Sequence, residues 1–256
     1  VCSSDLDGHG GPVFVRAGAT YHLTKQDHFN IGAFGMFGDR NQTTTINYSS
    51  NIPGSFAERQ RITDSKNKMK GGNVELGYKH DFSKTSNLDI TASWNPWNMD
   101  GTSIYKQRSQ YDAGGEDFSY QRQESDMRSN GWELQADYVN AFSENSKLEA
   151  GYKGTMSREK SPVETFSGTT VDDELPDEEL YNKFYYDRDI QALYATYSGR
   201  LDKFGFQAGL RGEYSHIETR SLGFGQSKGE VSPYKNDYFS LFPSVVCGNQ
   251  ENGWYL

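Results

Sequence analysis

Apolar and polar positions alternate one for one along most of this chain. Over residues 204–215, Phe204, Phe206, Ala208, Leu210, Gly212 and Tyr214 fall on one face, and Gly205, Gln207, Gly209, Arg211, Glu213 and Ser215 on the other. The same period of two recurs upstream. Val13, Val15, Ala17, Ala19 and Tyr21 alternate with Phe14, Arg16, Gly18 and Thr20, and Phe29, Ile31, Ala33, Gly35 and Phe37 follow. Val74, Leu76 and Tyr78 oppose Glu75 and Lys79, and Leu88, Ile90, Ala92 and Trp94 oppose Asp89, Thr91, Ser93 and Asn95. Trp132, Leu134, Ala136 and Tyr138 oppose Glu133, Gln135 and Asp137, and Leu148, Ala150 and Tyr152 oppose Glu149, Gly151 and Lys153. A period of two is the signature of a β-strand with two unlike faces. Strands are expected at 189–200 and 238–247 as well, with less distinct faces.

The connections carry as much information as the strands. Tight polar turns are expected at 24–27, 83–86, 143–146, 202–203 and 251–253, where Asn252 followed by Gly253 is a hairpin signal and Trp254 opens a further strand. The first four begin 59, 60 and 59 residues apart. Between them lie long polar stretches at roughly 40–69, 97–128, 158–186 and 219–237. Compact water-soluble domains rarely hold a structureless loop longer than ~15 residues, and here four fall on the same side. Short turns at one end and long connections at the other are the asymmetry of an outer-membrane barrel, with the short turns periplasmic and the long loops extracellular.

Composition supports this choice. The mean hydropathy is −0.84, yet aromatics reach 14%, with 17 Tyr and 15 Phe among 256 residues, more than a disordered polar chain carries. No run of ~18 apolar residues exists for a membrane helix, which leaves strands as the means of crossing. In hydrocarbon every backbone polar group must pair within the protein, so alternate side chains face lipid and lumen. A cation on the lipid face costs ~2–4 kcal/mol at the midplane, and each segment here keeps its charges off one face. The expected fold is therefore all-β: an antiparallel transmembrane β-barrel, represented by about nine to ten strands of a larger one. A passive porin or structural barrel and a soluble secreted β-sandwich are the alternatives. Against the sandwich stand the regular loop asymmetry and apolar faces rich in Ala, Gly and Tyr.

Lipid-facing candidates are Phe204, Phe206, Leu210, Tyr214, Trp132, Leu134, Tyr138, Leu148 and Tyr152. Lumen-facing candidates are Gln207, Arg211, Glu213, Glu133, Gln135, Asp137, Glu149 and Lys153. Residues 1–6, VCSSDL, match the translation of a nucleotide string ending TGCTCTTCCGATCT, the tail of a common sequencing adapter, and are expected to be foreign to the fold. A lipoprotein cysteine at Cys2 is disfavoured, since no apolar stretch precedes it. Residues 7–256 are then expected to be a partial barrel, truncated at both ends, with no plug domain.

At GLRGEYS (209–215) and FSLFPSV (239–245) the sequence resembles TonB-dependent receptors, in particular the outer-membrane β-barrel family common in Bacteroidetes-type bacteria. RDIQALYATYSGRLDKFGFQ (188–207) is similar to the hairpin that leads into that motif. The resemblance is specific over about 180–256 and a matter of pattern over 12–160. It implies a barrel of about 22 strands filled by an N-terminal plug. It also implies uptake of a nutrient across the outer membrane of a Gram-negative bacterium, with the TonB complex pulling on the plug, and a surface lipoprotein as a further partner. Glycans, siderophores and cobalamin-type cofactors are the substrate classes it suggests.

Catalytic chemistry is not expected. The chain has no G-x-S-x-G, Walker A or HExxH motif. Its five histidines (9, 22, 28, 80 and 216) are scattered in sequence, and the two cysteines, Cys2 and Cys247, lie far apart. No cofactor and no metal site is expected. The run DDELPDEE (172–179) lacks the spaced ligands and turn glycine of a calcium loop and is expected to be solvated. Tyr181, Phe184, Tyr185 and Tyr186, together with Trp94 and Trp97, are candidates for the aromatic girdle. A net charge of −9 argues against a nucleic-acid partner.

Overall fold

The computed structural model describes residues 2–52, 54–249 and 254–255, and every regular element among them is a strand. In chain order these are β1 (Cys2–His22), β2 (Asp27–Ser49), β3 (Phe56–Ser83), β4 (Ser86–Tyr111), β5 (Glu116–Ser143) and β6 (Ser146–Gly168). The short β7 (Leu175–Pro176) is followed by β8 (Asn182–Leu201), β9 (Phe204–Leu222), β10 (Tyr234–Asn249) and β11 (Trp254–Tyr255). All pairings are antiparallel and nearest-neighbour, except that β7 sits on the far end of β6. The result is nine long strands and the start of a tenth, the all-β antiparallel sheet that the alternation predicts. Among the described residues its first and last strands do not meet.

Four of the expected turns stand where the polar breaks place them, at 23–26, 84–85, 144–145 and 202–203; the fifth, at 251–253, lies outside the described residues. At the tightest, Leu201 faces Phe204 across the turn and Asp202 takes a left-handed backbone, φ +54°, a conformation that Asp tolerates better than most side chains.

The long polar connections differ from their expected form. They do lie at the opposite end, but most of each is strand: β2 and β3 pair out to Ser49 and Glu58, β4 and β5 to Gln110 and Glu116. Among the described residues the irregular remainders are only 50–52, 54–55, 112–115, 169–181 (interrupted by β7) and 223–233. The ladder is made by backbone groups, so it continues where both faces turn polar and the side-chain alternation fades. At 28 residues β3 and β5 are far longer than the ~10 residues that cross a bilayer. Residues 2–6 also run on in β1, where Cys2 faces Tyr48 and Leu6 faces Thr44.

Two prolines of the sheet, Pro96 and Pro162, sit where a ladder bond is missing. Between Val74↔Trp94 and Gly71↔Trp97 two residues on each strand go unpaired, and Pro96 is one of them. Pro162 occupies a similar gap between β5 and β6. With no N–H, proline leaves an unmade bond at such a position.

The sheet is a single layer. Among the described residues only Tyr120, Ala192 and Leu222 are buried hydrophobics, while Trp132 (55%), Leu193 (67%), Leu210 (53%) and Leu241 (58%) stand exposed on one face. A soluble sandwich would cover that face with a second sheet.

Candidate functional site: a paired polar wall

Register places the predicted polar residues on one face of β5, β6, β8 and β9. Asp137 faces Gly151, Gly151 faces Tyr194 and Tyr194 faces Arg211, a row across four strands. The next row reads Gln135, Lys153, Ala192 and Glu213, and the one after it Glu133, Thr155, Ile190 and Ser215.

Hydrogen bonds join these rows. Gln135 Nε2 donates to Asp137 Oδ2 at 2.6 Å, and Lys153 Nζ to Glu133 Oε1 at 2.8 Å and Gln135 Oε1 at 3.5 Å. Arg211 Nη2 donates to Glu213 Oε2 at 2.9 Å, Ser215 Oγ donates to Glu213 Oε1 at 3.4 Å, and the Arg211 guanidinium lies 5.7 Å from the Tyr194 ring centre. The Tyr194 hydroxyl donates to Asp137. That bond crosses β6, and only a glycine at 151 allows it, since a Cβ there would lie 2.6 Å from the tyrosine ring. Two further calls lie apart: Glu149 pairs with Lys147 at 2.9 Å, and Gln207 faces Ser198 and Val246.

Tyr194 and Ala192 belong to this wall and were not among the expected residues, whereas Gly151 and Ser215 stand on the face where the alternation puts them. Ala192 and Ser215 are sealed beneath the larger side chains, at 1% and 0% exposure. The one sequence signal is that Tyr194 is the lone aromatic among the small residues Ala192, Thr196 and Ser198 on its face of the strand, and it acquires meaning only once Gly151 is known to lie opposite.

The other face carries the expected apolar set. Trp94 stacks on Trp132 with ring centres 5.6 Å apart. Phe29 meets Tyr78 at 4.9 Å and Tyr197 meets Phe206 at 6.0 Å. Leu134, Tyr138, Leu148, Tyr152, Phe204, Leu210 and Tyr214 share that face by register. Trp97 departs from its expected role: three residues from Trp94 on an unbroken strand, it lies on the polar face, against Gly71.

Two clusters lie elsewhere. Three of the five histidines, scattered in sequence, lie at the short-turn end: His22 and His28 meet on one face, and His80 lies on the other. His22 Nδ1 is 2.5 Å from His28 Nδ1, His28 Nε2 is 3.3 Å from Asp81, and His80 Nδ1 is 2.7 Å from Asp27. Hydrogen bonds from Thr24, His80 and Tyr78 lower the Asp27 carboxyl to about 2. At the far end the acidic run is engaged in folding its own loop. Asp173 is held well below the ordinary carboxylate range, chiefly by the Thr169 hydroxyl and the Thr170 N–H, Glu174 accepts from Arg122, and Asp177 from Ser167. Among the described residues no group of three His, Cys, Asp or Glu is placed to hold a metal ion.

A one-layer antiparallel sheet with paired charges on one face and uncovered aromatics on the other defines the wall of an outer-membrane β-barrel. The family model described as outer membrane protein beta-barrel family matches residues 80–252, and the chain belongs to that family. Its place is the outer membrane of a Gram-negative bacterium. Among solved structures the chain is similar to the siderophore receptor PiuA from Acinetobacter baumannii, with a TM-score of 0.51, 8% identity, and coverage of 94% of this chain and 46% of that one. It is also similar to the ferric-catecholate import receptor Fiu from E. coli K12 in its open form (TM-score 0.43, 9% identity, 95% and 50% covered). A third is the E. coli outer membrane protease OmpT (0.29, 8%, 96% and 95%). The chain thus spans about half the length of the receptors it resembles. No curated protein sequence matches it.

Proposed function

We propose that residues 7–256 form part of the barrel wall of a TonB-dependent receptor that takes up a nutrient, with no catalytic role of its own. The polar face is read as the lumen and the apolar face as the lipid side. The observation that carries this reading is the separation of the faces. From the short turns up to Leu134, the charged side chains of β5, β6, β8 and β9 share one face and are hydrogen-bonded there, while the other face shows leucine and aromatic rings without cover. The likeness of fold to PiuA supports the receptor class.

In this reading Arg211, Glu213, Asp137 and Lys153 present a neutralised, hydrogen-bonded wall to a plug domain or a passing solute, and the long hairpins face the outside. Outer-membrane lipid, a plug, the TonB complex and a surface lipoprotein are the implied partners. A siderophore, glycan or cobalamin-type compound is the implied cargo.

Two experiments test it. Leu210→Arg should cost ~2–4 kcal/mol of membrane stability, visible as lost heat-modifiable barrel in the complete protein, whereas Gln207→Arg should assemble normally; equal yields would reverse or refute the facing. For transport, uptake should stop when the energy-transducing inner-membrane complex is inactivated. Uptake that persists would identify a passive porin instead.

A further inference from the structure

Four of the chain's five methionines lie on the polar face, and three of them meet in one row. Met69 of β3 faces Met99 of β4, and Met99 faces Met127 of β5. Met36 of β2 faces Gly71, which sets it diagonal to Met69. All four are half-buried. The fifth, Met156, stands on the apolar face opposite Trp132. The row lies five residues from the Trp94 and Trp132 pair toward the long hairpins, about 17 Å along the strands.

The positions next to the row on the same strands and face are uncharged: Asn67 and Gly71, Gly101 and Trp97, Ser125 and Ser129. The Trp97 ring spreads over Gly71, one position nearer the short turns. Bulk alone does not account for the choice of residue. Every leucine of β3–β6 and β8–β10 lies on the other face, Leu76, Leu134, Leu193, Leu210 and Leu241 among them. Methionine matches leucine in volume and differs from it in carrying a polarizable thioether. What the polar face gains here is sulfur.

We propose that Met69, Met99 and Met127 bind one soft monovalent metal ion, copper(I) or silver(I), through their three sulfurs. Soft thioether ligands select copper(I), whereas zinc takes imidazole and thiolate and calcium takes oxygen. Neighbouring strands lie about 4.8 Å apart. Met99 is therefore central, and three rotatable bonds on each side chain let the outer sulfurs lean toward it. Three neutral ligands leave the ion its single positive charge, to which the adjoining Trp97 ring offers a further attraction. Binding involves no change of oxidation state. The site needs only that the polar face be wet, so it holds for a receptor and a passive porin alike.

The test titrates the complete protein in detergent micelles with silver nitrate in chloride-free buffer. Its cysteines, Cys2 and Cys247 included, are first replaced by serine, because a thiolate would take the ion ahead of a thioether. One silver ion should bind per chain, X-ray absorption should show a shell of sulfur alone, and zinc sulfate should not compete. Met99→Leu should weaken silver binding about tenfold or more, at least what loss of an outer-shell partner costs a metal site. Met69→Leu and Met127→Leu should each do the same while the barrel stays heat-modifiable, and Met156→Leu should leave binding unchanged. The absorption signature is read on the unaltered row, so it decides the matter even where a leucine variant fails to assemble. A shell of nitrogen or oxygen, or no silver bound at all, would overturn the proposal. So would zinc that displaces silver, or tight silver binding that survives M69L/M99L/M127L.

Discussion

Gly151 and Tyr194 hold the polar wall together. The tyrosine ring lies flat across β6 to reach Asp137, and the missing side chain at 151 is what makes the room. Tyr194→Phe removes one hydrogen bond and should cost about 0.5–1.5 kcal/mol. Gly151→Val drives a side chain into the ring and should cost more, about 1–3 kcal/mol. Urea unfolding of the complete barrel in lipid vesicles would rank the two; a valine variant as stable as wild type would mean that the ring does not lie there. Arg211 and Glu213 were legible in the sequence because their own strand alternates strictly. Tyr194 was not, because its partner lies on another strand some forty residues away and only the register brings the pair together.

At the scale of the strand and hairpin, turn chemistry was the most legible feature. Thr24 and Asp27 bracket the first turn as a sequence reader expects, and the Thr24 hydroxyl accepts from the N–H groups of Gln26 and Asp27. What the sequence hides is that Asp27 also receives the Tyr78 hydroxyl, at 2.8 Å, and the His80 ring, tying the start of β2 to β3. Its folded pKa of about 2 lies below the ~3.9 of an unfolded aspartate. The stabilisation it brings is therefore complete above about pH 4 and is lost as the pH falls through 2. Denaturant midpoints measured between pH 5 and pH 2 should fall further for wild type than for Asp27→Asn. Parallel curves would show that the carboxylate does not anchor the turn. The hairpin extensions were misjudged as loops for a related reason: alternation reports a difference between two environments, and beyond the apolar band both faces of β2 to β5 meet water.

Across the whole molecule, one continuous ladder passes through two solvents. Above the short turns the backbone bonds of 74–79, 89–94, 132–137 and 151–156 lie behind an apolar band, where an opened N–H finds no water to bond. Beyond it, the same strands run on through 56–66, 100–111 and 116–125 with polar side chains on both faces, and there a broken bond is replaced by one to water at small net cost. Secondary structure is uniform along these strands, but local stability should not be. Amide hydrogen exchange on the complete barrel in vesicles should show a step within single strands: protection lasting hours to days below Trp94 and Trp132, and exchange orders of magnitude faster in the outer halves. The step should fall at the same height on adjacent strands and shift with bilayer thickness. Uniform protection from end to end would mean that the hairpins are shielded by something besides lipid, and uniform rapid exchange that the apolar band does not lie in a membrane.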